Sequence, residues 1–296
     1  MGTELIQPPP AAFPALSRWQ LAVLASLSLW LYGRTLLHLV GQWWQDPNFQ
    51  HGFIVPLFSA FVIWRERDRL RHIVVKPSWS GLLVLTFALL VLVVGQLGAE
   101  LFLARVSLLL LVAGLIVLFL GWNLLWALSL PLAFLLLMIP IPAIIFNQIT
   151  FPLQLLASRF VAATLPLFSV PVLREGNIII LPGITLELVE ACSGIRSLMS
   201  LVTLAIIYGY LTEKRLAVRC LLALGAVPIS VAANSARIIG TGLLAQYWDP
   251  DKAKGFFHVF SGWLIFLVSL LMICLLDGLT RIQWQRISWA KKRGGS

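Results

Sequence analysis

Long apolar runs separated by short polar connections dominate the chain. A helix needs about 20 apolar residues to cross the hydrocarbon core of a membrane. Eight runs read as such spans: residues 19–40, 52–64, 81–98, 103–121, 122–139, 195–211, 216–236 and 259–276. The second is short, and only a Gly121-Trp122-Asn123 turn parts the fourth from the fifth. Residues 144–168 are also apolar, but they carry Asn147, Gln148, Gln154, Arg159 and several prolines. That mixture predicts a re-entrant or interfacial helix. In VLREGNIIILPGITLELVE, which follows, two β-rich runs flank Pro182-Gly183 and predict a small hairpin. The expected fold is an all-α polytopic membrane protein of about eight transmembrane helices. Its small extracytoplasmic loop region holds the β-hairpin and the interfacial or re-entrant helix.

Composition agrees with this pattern. Of the 296 residues, 59% are hydrophobic and 11% charged, against about 25% charged in soluble domains. A net charge of +10 invites a nucleic-acid reading, but the basic residues sit in connections between apolar runs, where membrane orientation requires them. Arg65, Arg67, Arg69, Arg71 and Lys76 fill one connection; Lys214 and Arg215, with Arg219 close by, fill another; Arg281, Arg286, Lys291, Lys292 and Arg293 fill the tail. With eight spans and the N-terminus inside, all three groups face the cytoplasm, and a shift of one span breaks the agreement. The layout is then a cytoplasmic tail (1–18), one transmembrane domain (19–280, with an outer loop at 140–192) and a basic cytoplasmic tail (281–296). The polar, proline-rich start lacks the basic and apolar parts of a signal peptide, so the first span is expected to act as its own uncleaved insertion signal. Three scattered cysteines suit neither a disulfide framework nor a zinc site.

Topology then sorts the reactive residues. Cys192 precedes the sixth span on the outer side, Arg237 ends the seventh there, and His258 begins the eighth there, whereas Cys220 and Cys274 fall inside spans. In EACSGIRS a thiol at a helix N-terminus gains thiolate character. Backbone N–H groups around Ser193 and Gly194 suit an oxyanion, and Arg196 adds positive charge one turn on. A buried, inert cysteine fits the same local sequence. Asn234 and Arg237 share a helix face; an arginine in apolar surroundings either snorkels to the interface or has a partner. His258 and Gly262 lie one turn apart, and histidine is the usual acid/base near neutral pH. His51, also on the outer side, is an equal rival on composition, and His38 with Arg34 shares a face of the first span. His72 is cytoplasmic. Glu187 and Glu190 are placed either to orient a histidine or to pair with Arg196, or are solvated strand charges.

These motifs, EACSGIRS (190–197), PISVAANSARI (228–238) and HVFSG (258–262), resemble the exosortase/archaeosortase family, most closely its cyanobacterial branch. HGFIVPLFSAFVIWRER, from His51, resembles the family's second-span segment. The resemblance implies a membrane-embedded sorting protease and transpeptidase. Its substrates would be exported proteins whose C-terminal tail carries a short proline-containing motif, a transmembrane helix and a basic cluster. It implies Cys192, Arg237 and His258 as the catalytic residues, and no metal or organic cofactor; by their positions Arg196, Asn234, Ser193, Gly194, Glu190 and His51 are the candidate supporting or substrate-binding residues. The implied location is the cytoplasmic membrane, with both termini inside and the site on the periplasmic face.

Two other classes share part of this pattern. A transporter would place ionisable groups near the membrane midplane on broken helices, and no inverted repeat is visible. A lipid-linked glycan or phosphate transferase would use Arg159, Arg196 and Arg237 on phosphate and would not need Cys192. An impermeant alkylating reagent applied to intact cells is expected to reach Cys192; labelling only after access from the cytoplasm would reverse the orientation.

Overall fold

In lipid, every backbone N–H and C=O needs a partner within the protein, so apolar runs fold as helices. The computed structural model bears this out and describes residues 17–46, 48–182, 184–187, 194–248 and 256–293. In chain order the helices are α1 (Arg18–Gln45), α2 (Ile54–Arg65), α3 (Arg67–Arg71), α4 (Ser80–Leu97), α5 (Leu101–Phe119), α6 (Trp122–Ala127), α7 (Ser129–Leu136), α8 (Ala143–Thr164), α9 (Gly194–Thr212), α10 (Leu216–Tyr247) and α11 (Phe256–Arg293). Strands β1 (Leu173–Glu175), β2 (Ile178–Leu181) and β3 (Ile184–Glu187) lie between α8 and α9. The protein is an all-α polytopic membrane protein with one small sheet.

Among the described residues, six helices are long and apolar enough to cross a membrane: α1, α4, α5, α8 with its 3-10 extension to Phe168, α10, and Phe260–Gln283 of α11. The expected eight differ in identifiable places, and of the expected sixth, α9, the described side chains give the shorter apolar stretch Leu198–Thr212. Helix α2 has 12 residues, about 18 Å of rise, short of the roughly 30 Å core. Residues 122–139 form two short helices, because Pro131 has no N–H to donate and its ring excludes the carbonyl four residues back. That carbonyl belongs to Ala127, where α6 ends. Residues 144–168, read as a re-entrant or interfacial helix, form one continuous helix, α8, with Pro152 inside it, and it is long and apolar enough to cross.

The chain forms two units, Met1–Asp46 with Gly52–Pro140, and Pro47–His51 with Ile141–Ser296. In the first, α4 and α5 form an antiparallel pair in near backbone contact. Gly81, Ala88 and Gly95 recur every seven residues along α4, and all are buried. A Cβ on Gly81 would overlap the Leu118 backbone, one on Gly95 would stand 2.7 Å from the Ala104 amide nitrogen, and one on Gly114 would stand 2.8 Å from Leu85 Cγ. Small residues are how membrane helices gain close van der Waals contact, since lipid offers no hydrophobic drive. Tyr32 on α1 closes this core and shares a 3.1 Å hydrogen bond with Ser107 on α5. The Ser59 hydroxyl of α2 donates to the carbonyl of Pro131 at 2.8 Å, and Phe58 meets Phe134 edge-on at 5.0 Å.

In the second unit, β1, β2 and β3 pair antiparallel in that order, with Leu181 opposite Ile184 across the expected turn. The predicted hairpin thus exists and gains a third strand. Its buried face (Ile179, Leu181, Ile184, Leu186) shares one core with Ala157, Val161 and Leu165 before and after the end of α8, and with Ile238 and Ala245 of α10. Of the polar residues that suggested an interfacial helix, Gln154 turns inward, whereas Asn147, Gln148 and Arg159 are exposed. Gln154 accepts from Asn177 at 3.2 Å, and the Ser158 hydroxyl donates to the Gly176 carbonyl at 2.9 Å. Arg174 donates to that carbonyl at 3.0 Å.

Gly95→Val is expected to destabilise the protein by about 1–3 kcal/mol through overpacking. A Gly33→Ala change, where nothing lies within 4 Å of the added methyl, is expected to be neutral or to gain up to about 1 kcal/mol of helix propensity. Thermal unfolding midpoints in detergent would test the pair, and equal midpoints would refute the close-packing account.

Candidate active site

Helix α10 carries the most unusual surface in the second unit. Its 32 residues are predominantly apolar, yet Ser230, Asn234 and Arg237 lie buried on it at 4%, 7% and 5% exposure. Steps of four and three residues put them on one face. Polar groups inside an apolar helix are costly unless they are engaged, and all three are engaged within the protein. The Thr241 hydroxyl continues the stripe and donates to the Arg237 carbonyl at 3.0 Å. Sequence reading picks out Asn234 and Arg237 but passes over Ser230, which the same spacing would have found.

Arg237 was expected at the outer end of its helix. Instead α10 runs on for ten residues, to Tyr247. The continuing residues are apolar for a reason unconnected with lipid: Ile238 and Ala245 pack against the sheet and the end of α8. A Cβ on Gly242 would already sit 3.0 Å from Leu181 Cδ1. The Tyr247 hydroxyl donates to the Phe168 carbonyl at 2.6 Å. Arg237 thus stands at the foot of a helical stretch held by the sheet.

Glu190, Cys192 and Ser193 lie outside the described residues. So do the side chains of Arg196 and His258. The backbone still locates their neighbourhoods. Gly194 is the first residue of α9, two residues after Cys192. Arg196 is in that helix's first turn. His258 is the third residue of α11, with Gly262 one turn on.

The other three histidines differ in burial. His51, on a 3-10 turn spanning Gln50–Phe53, is buried at 6% exposure. Its ring lies 6.4 Å from that of Phe49, which in turn lies 6.4 Å from Phe146 of α8. It belongs to the same unit as α9, α10 and α11. His38 and Arg34 are exposed on α1. His72 is exposed and its Nδ1 lies 2.6 Å from the Asp68 carbonyl oxygen, which fits a helix-end role. Arg159 is exposed, and Arg174 is occupied in holding the β1–β2 turn. Among the described residues no group of histidine, cysteine and carboxylate side chains could hold a metal ion.

Neither the curated proteins nor the solved structures contain a match to this chain. Comparison with protein families gives a match to the transmembrane exosortases over residues 43–275. That range takes in α2, the sheet, the cysteine motif, the polar stripe of α10 and the His258 segment. The chain belongs to the transmembrane exosortase family.

Proposed function

We propose that this exosortase is a membrane-embedded cysteine peptidase and transpeptidase. It cuts the C-terminal tails of exported proteins at the outer face of the cytoplasmic membrane, tails made of a short motif, a transmembrane helix and a basic cluster. Both termini face the cytoplasm in this reading, and the basic groups at Lys214–Arg219 and from Arg281 onward, at the start of α10 and the end of α11, lie on that side. The observation that carries the reading is the buried stripe on α10. A guanidinium fixed inside a helix bundle costs free energy, and it is useful where negative charge develops during a reaction. About 20 residues of α10 counted from Leu216 reach Ser235, so Arg237 falls near the outer boundary if α10 enters the membrane at its start.

In this scheme the Cys192 thiolate attacks the scissile carbonyl carbon, forming a C–S bond and a tetrahedral oxyanion. Arg237 stabilises that oxyanion by donating to it. Collapse breaks the C–N bond, and His258 gives its proton to the departing amine. The resulting thioester is then opened by water, or by an amine or glycan acceptor whose proton returns to His258. Asn234 supports Arg237 from the same helix face, Arg196 and the amides near Ser193 and Gly194 add positive potential around the thiolate, and Glu190 and His51 complete the surroundings. The substrate's anchor helix docks by shape and small residues, as membrane helices do. A transporter or a phosphate-handling transferase would leave Cys192 without a role.

Cys192→Ala, co-expressed with a protein bearing such a tail, is expected to abolish tail cleavage; cleavage that persists unchanged would sink the cysteine mechanism. Arg237→Lys, which keeps charge but loses the planar fork, is expected to lower kcat by roughly 10²–10³ with KM little changed. A pure KM effect would assign Arg237 to substrate binding instead.

A further inference from the structure

The three helices that carry or follow the proposed catalytic residues meet again at their opposite ends. Asp277 of α11 is buried, and its Oδ2 accepts from the Tyr208 hydroxyl of α9 at 3.0 Å. The same oxygen lies 2.9 Å from Arg281 Nη2. Arg281 Nε pairs with Glu213, just past α9, at 2.7 Å, and its Nη2 donates to the Thr212 carbonyl at 3.2 Å. Arg219 of α10 reaches the same helix end: its Nε donates to the Glu213 carbonyl at 2.7 Å, and its guanidinium lies over the Tyr210 ring at 5.0 Å. Two cations thus sit at the C-terminus of α9, where the helix dipole favours them.

Stability alone does not explain this knot. Asp277 is buried but Arg281 is about half exposed, at 47%, and an ion pair whose cation reaches water contributes little to stability. Nor does the rest of the seam fix the axial register. The α9–α10–α11 core is Leu201, Ala205, Val218, Leu222, Ala226 and Ile273, and apolar attraction has no direction. Hydrogen bonds and ion pairs do, and their best-attested use in helix bundles is to select one register. Along α9, Tyr208 lies about 21 Å from Gly194; along α11, Asp277 lies about 28 Å from His258; along α10, Arg219 lies about 27 Å from Arg237. Helices are stiff over such lengths, so a slip at one end is delivered to the other.

We infer that Asp277, with Tyr208, Arg281 and Arg219, is a set of positioning residues that fixes the register of α9, α10 and α11, and through it the alignment of Cys192, Arg237 and His258. The inference rests on the catalytic assignment above. Tyr208 and Arg281 converge on one oxygen of Asp277, and its Oδ1 is buried with no partner among the described residues. Loss of that one oxygen releases both contacts at once, whereas the Asp277→Asn change would keep an acceptor oxygen for Tyr208.

The test uses the full chain in lipid nanodiscs. Spin labels go on cysteines placed at Met199 of α9 and Leu264 of α11, in a Cys192→Ala, Cys220→Ser, Cys274→Ser background. Asp277→Ala is expected to shift or broaden the inter-label distance by about 2 Å or more. In the catalytically intact chain it is expected to lower kcat roughly 10²-fold at unchanged KM, the scale set by ångström misplacement of reacting groups. Asp277→Asn should recover most of both. Tyr208→Phe and Arg281→Lys each remove one element of the knot, and they replace Asp277→Ala in the comparison if that variant does not fold. A folded variant with the wild-type distance distribution, or with wild-type kcat, overturns the inference. If the wild-type chain cuts no tail, the proposed function fails, and the distance measurement alone decides the knot.

Discussion

The core shared by the small sheet, the end of α8 and the last ten residues of α10 is the interaction on which the second unit depends. A three-stranded sheet of this size has too little buried surface to stand by itself. Here its apolar face is covered by two helices, and the cover explains several otherwise odd features. Helix α10 is longer than one membrane crossing needs because its final turns are sheet-facing. Helix α8 carries glutamine and serine in apolar surroundings because they hold the β1–β2 turn. Arg237 sits where the sheet-packed part of α10 gives way to the part that precedes it, and Ile238 beside it is already in the sheet core.

The two units solve the membrane packing problem by different means. Between α4 and α5 the solution is steric: glycine and alanine every seven residues bring backbones together without polar contacts. Among α9, α10 and α11 it is a mixture, an apolar seam with a polar knot at one end and a buried polar stripe farther along α10. Close apolar packing tolerates little change of volume, whereas polar groups tolerate little change of direction. The second property is the one a reaction site requires.

Much of the helical layout could be read directly, because α1, α4 and α5 are uninterrupted apolar runs whose ends are marked by Ser17, Ser80 and Glu100. The hairpin was legible from Pro182-Gly183 between β-rich runs. The errors had specific physical origins. Pro131 was absorbed into an apolar run although it removes a helical hydrogen bond. Gln154 counts in sequence toward an interfacial or re-entrant helix because its partner, Asn177, comes from a turn beyond the helix. The apolar stretch after Arg237 is the same in composition whether lipid or a sheet covers it. At the site, Asn234 and Arg237 were found from their spacing, while Ser230 was overlooked. Asp277 and Arg281 are four residues apart at the end of the last apolar run, a visible pair, but nothing local announces that Tyr208 and Glu213 meet them.

The seven-residue spacing on α4 has a consequence for how a partner helix enters. A pair whose glycines already touch the opposite backbone cannot be wedged open without losing the contacts that define it. The α4–α5 hairpin therefore behaves as a closed wall, and the anchor helix of the proposed substrate would have to dock along some other seam.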